Sequence, residues 1–165
     1  AVLRAMPAIL EKVPEIVYVM TGRGADEARL RKLVSELELD DKVIFAGYVQ
    51  ESELPAYYNM CDLYVMPNRI VEGWDVLEGF GISFMEASSC CKCVIGGATG
   101  GSDEAVVDGR TGFLLDPEDI EAIAEKTVEL LTDTQAAERM GAAGRKRAVE
   151  KFRWQLKAAQ IGEIL

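Results

Sequence analysis

Short apolar runs alternate with amphipathic helical stretches along almost the whole chain, and few architectures accept that alternation. Runs of four or five apolar residues bounded by glycine, proline or polar turns suit strands buried on both faces. Apolar positions recurring every three or four residues between them suit helices laid over those strands. The pattern therefore predicts an α/β domain, a parallel sheet with helices on both faces. Strands are expected over 16–20, 42–45, 63–66, 93–95 and 112–115. Helices are expected over 26–37, 52–60, 81–89, 103–107, 117–131, 134–151 and 154–165. Leu30, Leu33, Val34 and Leu37 share one face of the first, and Pro55 falls in the first turn of the second, where proline is tolerated. Asp116 and Pro117 read as an N-cap and a first helical position. A long loop over 68–77 separates the third strand from the helix at 81–89, and no linker, repeat or low-complexity stretch interrupts the chain.

At 165 residues this is one domain, large enough to bury a core. The opening Ala-Val-Leu-Arg-Ala-Met-Pro reads as the middle of a helix, so the chain is expected to be a piece of a longer protein. No apolar run approaches the length of a membrane span. The net charge of −10 argues against nucleic-acid binding, which needs a basic surface, but leaves room for a local anion site. With no histidine, neither imidazole catalysis nor a histidine metal site is available. Cys90 and Cys93 have the Cys-x-x-Cys spacing, but at a helix end rather than a helix start, and no second ligand pair accompanies them. All four cysteines are expected to be reduced, mostly buried thiols of a cytoplasmic protein.

In parallel α/β sheets ligands bind outside the carboxyl ends of the strands. Four glycine-bearing or irregular loops fall there: 21–25, 46–50, 67–81 and 96–102. Thr21-Gly-Arg-Gly lacks the third glycine of a dinucleotide fingerprint and reads as a tight turn, and there is no P-loop. Glu78-Gly-Phe-Gly-Ile-Ser-Phe-Met-Glu86 is the most informative stretch. Its two acids are eight residues apart, and Glu86 is the only charged side chain from Gly79 to Cys91. A lone acid in an apolar helix is costly to bury unless something hydrogen-bonds to it. For a helix starting near Gly81, Glu86 lies about 7 Å along the axis and leans back toward the N-terminus. Its carboxylate suits a pair of sugar hydroxyls, while the N–H groups of Phe80, Gly81 and Ile82 suit a phosphate or sugar oxygen. The stretch Gly96-Gly-Ala-Thr-Gly-Gly-Ser102 reads as backbone left bare for close packing on a ligand, with Asp103 and Glu104 capping the helix behind it.

Glu78-Gly-Phe-Gly-Ile-Ser-Phe-Met-Glu86-Ala resembles the Glu-x7-Glu motif of retaining nucleotide-sugar glycosyltransferases of family 4. The resemblance extends through Gly22-Arg-Gly24, Val43-Ile-Phe-Ala-Gly47-Tyr-Val, Tyr58-Asn-Met-Cys-Asp62-Leu-Tyr-Val-Met-Pro67, Thr99-Gly100-Gly101, Glu104 to Pro117, and Phe152-Arg-Trp154. It implies the GT-B architecture, two Rossmann-like domains facing a cleft, with residues 1–165 as the single C-terminal donor-binding domain. The domain's first strand, the basic Arg/Lys pair beside it and the N-terminal acceptor-binding domain would lie upstream of Ala1. By the same resemblance Glu78 is the catalytic candidate, contacting the transferred sugar, and Glu86 meets the ribose hydroxyls. Backbone of Gly79, Phe80, Gly81 and Ile82 would meet sugar and phosphates. Gly47, Tyr48 and Val49 would meet the base, with Gly22 counted in the same donor-binding set. No metal and no other cofactor is implied, because the helix N-terminus and the basic pair balance the diphosphate. One departure is Cys90-Cys91-Lys92-Cys93, where the family has Cys-Gly-Lys/Leu-Pro.

The expected activity is retaining transfer of a hexosyl group, mannosyl or glucosyl, from GDP-mannose or a UDP-hexose. The partners implied are a nucleotide-diphosphate sugar and the chain's own N-terminal domain. No nucleic acid is implied. The setting implied is the cytoplasm, with peripheral association at the inner face of a membrane through the upstream half. Three rivals share parts of this pattern: a phosphorylase or sucrose/glycogen synthase-like enzyme, a non-catalytic nucleotide-sensing or scaffold module, and a flavodoxin-like redox protein using Cys90 and Cys93.

Overall fold

A computed structural model of the chain describes residues 1–69, 79–156 and 158. The elements run α1 (Val2–Lys12), β1 (Tyr18–Thr21), α2 (Glu27–Glu36), β2 (Val43–Gly47), α3 (Leu54–Met60), β3 (Leu63–Met66), α4 (Ile82–Ser89), β4 (Cys93–Gly97), α5 (Ser102–Ala105), β5 (Gly112–Leu115), α6 (Ile120–Thr132) and α7 (Thr134–Lys151). Every strand pairing is parallel, as expected. Among the described residues the strands form two sheets, β1–β2 and β3–β4–β5. The helix expected over 154–165 lies mostly outside the described residues.

Strand β4 shows why a continuous apolar run becomes a central strand. All five of its residues are buried. Val94 faces a cluster with Phe84, Met85 and Ala87 of α4, Ala105 and Val106, and Ala148 of α7. Cys93 and Ile95 face the opposite way, toward Leu130 of α6 and Met140 of α7. Helices thus cover both faces, and alternate side chains serve different layers. The second core lies where α1 packs on α6, with Leu3, Met6 and Ile9 meeting Ile123 and Ala124, and it extends to Val34 and Val43.

Helix α7 fixes α4 by close approach. A Cβ at Gly141 would stand 2.0 Å from the carbonyl oxygen of Cys91, and one at Gly144 would stand 3.1 Å from the Ser88 hydroxyl. The Arg145 guanidinium donates to the Ser89 carbonyl beside them. These contacts sit on the closing turn of α4. There Lys92 N–H bonds Ala87 O at 3.0 Å and Cys91 N–H bonds Ser88 O at 2.9 Å, a Schellman arrangement with Cys91 at its left-handed position (φ 60°). The glycine that the resembling family places here is the residue that geometry favours.

Three local expectations are corrected. Helix α6 starts at Ile120, and its N-cap is Asp119, whose carboxylate accepts from Ala122 N–H. Asp116 instead accepts from Glu118 N–H at 2.9 Å, so its side chain closes a turn ahead of the helix. Helix α5 has Gly101 as N-cap, with no side-chain cap from Asp103 or Glu104, which lie inside its first turn. The four cysteines are free thiols, but only Cys93 is buried, while Cys61 and Cys90 are half-buried and Cys91 is exposed. Burial pushes the Cys93 thiol from 9.0 up to about 12 and raises Cys90 as well, the reverse of an activated redox pair.

Two outcomes are expected. Cys91→Gly relieves the left-handed strain and stabilises the chain by about 1 kcal/mol in urea denaturation. Burial also raises the Tyr18 phenol from 10.0 to about 12. The folded chain keeps the Cys93 and Tyr18 protons where the unfolded chain releases them. Unfolding midpoints should therefore stay level below the thiol's ordinary 9.0 and fall steadily toward pH 12.

Candidate functional site

The site is built around the entry to α4. Gly81 is its N-cap in the left-handed conformation (φ 86°, ψ 58°), and no side chain caps the helix. A Cβ on Gly81 would lie 2.3 Å from Cδ2 of Phe84, a ring that is fully buried. Only glycine satisfies both the torsion and the space. The first intrahelical bonds run from Phe84 and Met85 N–H to Gly81 O, which leaves the Ile82 and Ser83 N–H groups ahead of the helix ladder. That end carries the positive pole of the helix and suits an anion.

Two neighbours hold the turn before it. The Phe80 ring packs on Phe152 with centroids 5.3 Å apart. A Cβ on Gly101 would stand 2.1 Å from the Gly79 carbonyl oxygen, so the glycine-rich loop lies backbone to backbone on the turn. Gly97 is bare for the same kind of reason, since its Cβ position lies 2.0 Å from the Asn68 carbonyl oxygen. The expectation that this loop is stripped for a ligand is thus corrected at Gly97 and Gly101, which are stripped for packing on protein.

Asn68 organises the edge, and its role was missed in the sequence. Its Oδ1 accepts from Gly97 N–H at 3.0 Å, its Nδ2 donates to Ser102 Oγ at 3.0 Å, and its carbonyl accepts from Thr99 Oγ1 at 2.9 Å. Ser102 is fully buried and donates onward to Thr99 O. One side chain therefore ties the end of β3 to the end of β4. The available signal was position: an amide immediately after a strand and its terminating Pro67, at the carboxyl edge of the sheet.

Glu86 overturns the premise of a buried acid. It is exposed, on a stripe with Ile82, which is 61% exposed, and half-buried Ser89. Its carboxylate Oε2 accepts a hydrogen bond of 2.8 Å from the Tyr58 hydroxyl of α3. Burial first, and then that bond, push the Tyr58 phenol well above its ordinary 10.0, so it stays a protonated donor. Glu78 lies outside the described residues.

The second group of expected residues meets at the carboxyl ends of β1 and β2. Gly22 (φ 97°) donates its N–H to Gly47 O at 2.7 Å, and Gly47 is itself left-handed (φ 69°). The pairing slips there, with Thr21 opposite Gly47 rather than Ala46. Beyond it Tyr48 is 68% exposed while Val49 is buried, so only the tyrosine side chain projects outward. The two groups share the carboxyl edges of their sheets. The Arg29 hydrogen bond holds the Asp26 carboxyl below its usual range, and Arg69, just after β3, adds a smaller pull on it.

The sequence profile of the glycosyl transferases group 1 family matches residues 1–147. The chain belongs to that family. Among glycosyl transferases it is 35% identical over 163 residues to a GDP-mannose-dependent alpha-(1-6)-phosphatidylinositol monomannoside mannosyltransferase of Mycolicibacterium smegmatis, covering 99% of this chain and 43% of that protein. The chain thus spans less than half the length of that relative. The fold superimposes on sucrose-phosphate synthase from Thermosynechococcus elongatus with a TM-score of 0.83 at 29% identity, over 99% of this chain and 41% of that one. It also matches the C-terminal domain of a glycosyl transferase group 1 family protein from Francisella tularensis, with a TM-score of 0.77 at 26% identity, over 93% of this chain and 78% of that one. The Rossmann-like α/β expectation holds, and the chain corresponds to a C-terminal glycosyl transferase domain.

Asn68→Ala should leave the Gly97 amide without its acceptor. A loss of about 1–3 kcal/mol in stability is expected, with faster hydrogen exchange at Gly97 than at Val94, deeper in the same strand.

Proposed function

We propose that this domain binds the nucleotide-diphosphate sugar donor of a retaining hexosyltransferase. The observation that carries the reading is the pairing at α4. A left-handed glycine turn opens the helix N-terminus, and one turn further on an exposed carboxylate is held by a tyrosine hydroxyl. An anion cradle and a hydroxyl acceptor on one helix match the two ends of a ribose diphosphate. The mannosyltransferase relative, named as GDP-mannose-dependent, supports a mannosyl donor, with a UDP-hexose as the second choice.

In this reading Glu86 accepts the ribose hydroxyls, backbone from Gly79 to Ile82 meets the diphosphate and sugar, and Glu78 contacts the transferred hexose. Gly22, Gly47, Tyr48 and Val49 border the base. The bond from the anomeric carbon to the donor phosphate oxygen breaks as the acceptor oxygen bonds on the same face. The acceptor's proton passes to the departing diphosphate. Stabilising that leaving group is the main catalytic demand, met here by the α4 N-terminus and elsewhere by a basic pair upstream, with no metal required.

The acceptor domain, that basic pair and one further strand would precede Ala1. Among the described residues, β1 and β3 are each paired on one side only and head separate sheets, which supports a strand inserted between them. Among the described residues no helix is long and apolar enough to cross a membrane. We place the enzyme in the cytoplasm, with any contact with the inner membrane face made through the upstream half.

The test is an assay of the full-length protein with GDP-mannose and UDP-hexoses. Wild type should transfer and Glu78→Ala should lose transfer while still binding donor. The present chain alone should bind nucleotide weakly without turnover. Binding by the full-length protein with no transfer to any acceptor would instead favour a nucleotide-sensing module.

A further inference from the structure

We infer that Tyr58 is a positioning residue of the donor site, fixing the Glu86 carboxylate in the orientation that accepts the two ribose hydroxyls of a nucleoside diphosphate. The inference rests on the donor-binding reading of Glu86 and adds the residue that aims it. Glu86 stands on an exposed helical stripe, where a glutamate side chain samples many rotamers. The Tyr58 hydroxyl, 28 residues earlier in the chain, restrains it through the 2.8 Å bond to Oε2. One donated hydrogen bond occupies one acceptor position of Oε2. Its second position and both positions of Oε1 remain for ligand hydroxyls.

The tyrosine is itself well braced. Its ring stands edge-on to Tyr64 with centroids 5.6 Å apart, and Tyr64 stands edge-on to Phe84 at 6.1 Å. Phe84 is the buried ring beneath Gly81. The turn that would receive phosphate and the carboxylate that would receive ribose therefore lean on the same aromatic series. Cys61 Sγ also donates to the Tyr58 carbonyl at 3.1 Å, tying the end of α3 to its own last turn. A carboxylate held ready avoids the ordering cost that a free one meets on binding.

The alternative role for the bond is a plain tether between α3 and α4. Nucleotides lacking the ribose hydroxyls separate the two. Calorimetry on the full-length protein would use guanosine and uridine diphosphates and their 2′,3′-dideoxy forms. Tyr58→Phe keeps the ring and removes only the hydroxyl. It should weaken the preferred ribonucleotide about tenfold, the scale of one hydrogen bond to a charged group, and leave dideoxynucleotide binding within about twofold. In a Glu86→Gln background the same change should add nothing further. Equal losses on both nucleotide forms, or no loss on either, would overturn the positioning role. If Glu86→Gln weakens the ribonucleotide while Tyr58→Phe does not, the inference falls and the donor site stands. If Glu86→Gln has no effect, or the wild type binds neither diphosphate, the donor-binding reading falls and takes this inference with it.

Discussion

The packing of Phe84 under two glycines is the contact on which the rest of the carboxyl edge depends. Its ring is fully enclosed, 2.3 Å from where Gly81 would carry a Cβ and 3.1 Å from the corresponding point on Gly96. The phenylalanine belongs to the core formed by α4, β4 and α7, yet it sets the torsion with which the chain enters α4. Core packing and the geometry of the helix entrance are thus one event in this domain. A side chain at either glycine would drive the ring outward and take the helix entrance with it.

Much of the architecture was legible from periodicity. Strands buried on both faces leave continuous apolar runs, and all five expected strands are present within one or two residues of their expected ends. Capping was less legible, because Asp116 and Asp119 offer the same chemistry three residues apart. The structure uses the first for a turn and the second for the helix. The order of the strands was also hidden, since no local pattern reports which strands lie side by side.

The candidate site was legible in its residues more than in its environment. The family motif located Gly81 and Glu86, but the reasoning from an apolar run placed Glu86 in the interior, where it is not. In so short a helix Phe84, Met85, Ala87 and Ser88 take the buried side, and Ile82 and Glu86 are left on the outside. The roles of Tyr58 and Asn68 were not legible because they depend on partners about thirty residues away. The glycines at 97 and 101 were noticed for the wrong reason. What they accommodate is a carbonyl from a distant segment, a contact with no trace in local sequence.

The contact between Gly101 and Gly79 has a consequence for how this edge can diverge. Two backbones that touch with no side chain between them shift together, so an insertion or a bulkier residue in one strip needs a matching change in the other. Paired changes of that kind are rare by chance. Side-chain variation at this edge is therefore channelled to positions that project freely from it, and Ile82 is one such place. An engineer would keep the glycine strips as a fixed chassis and build a library at that position.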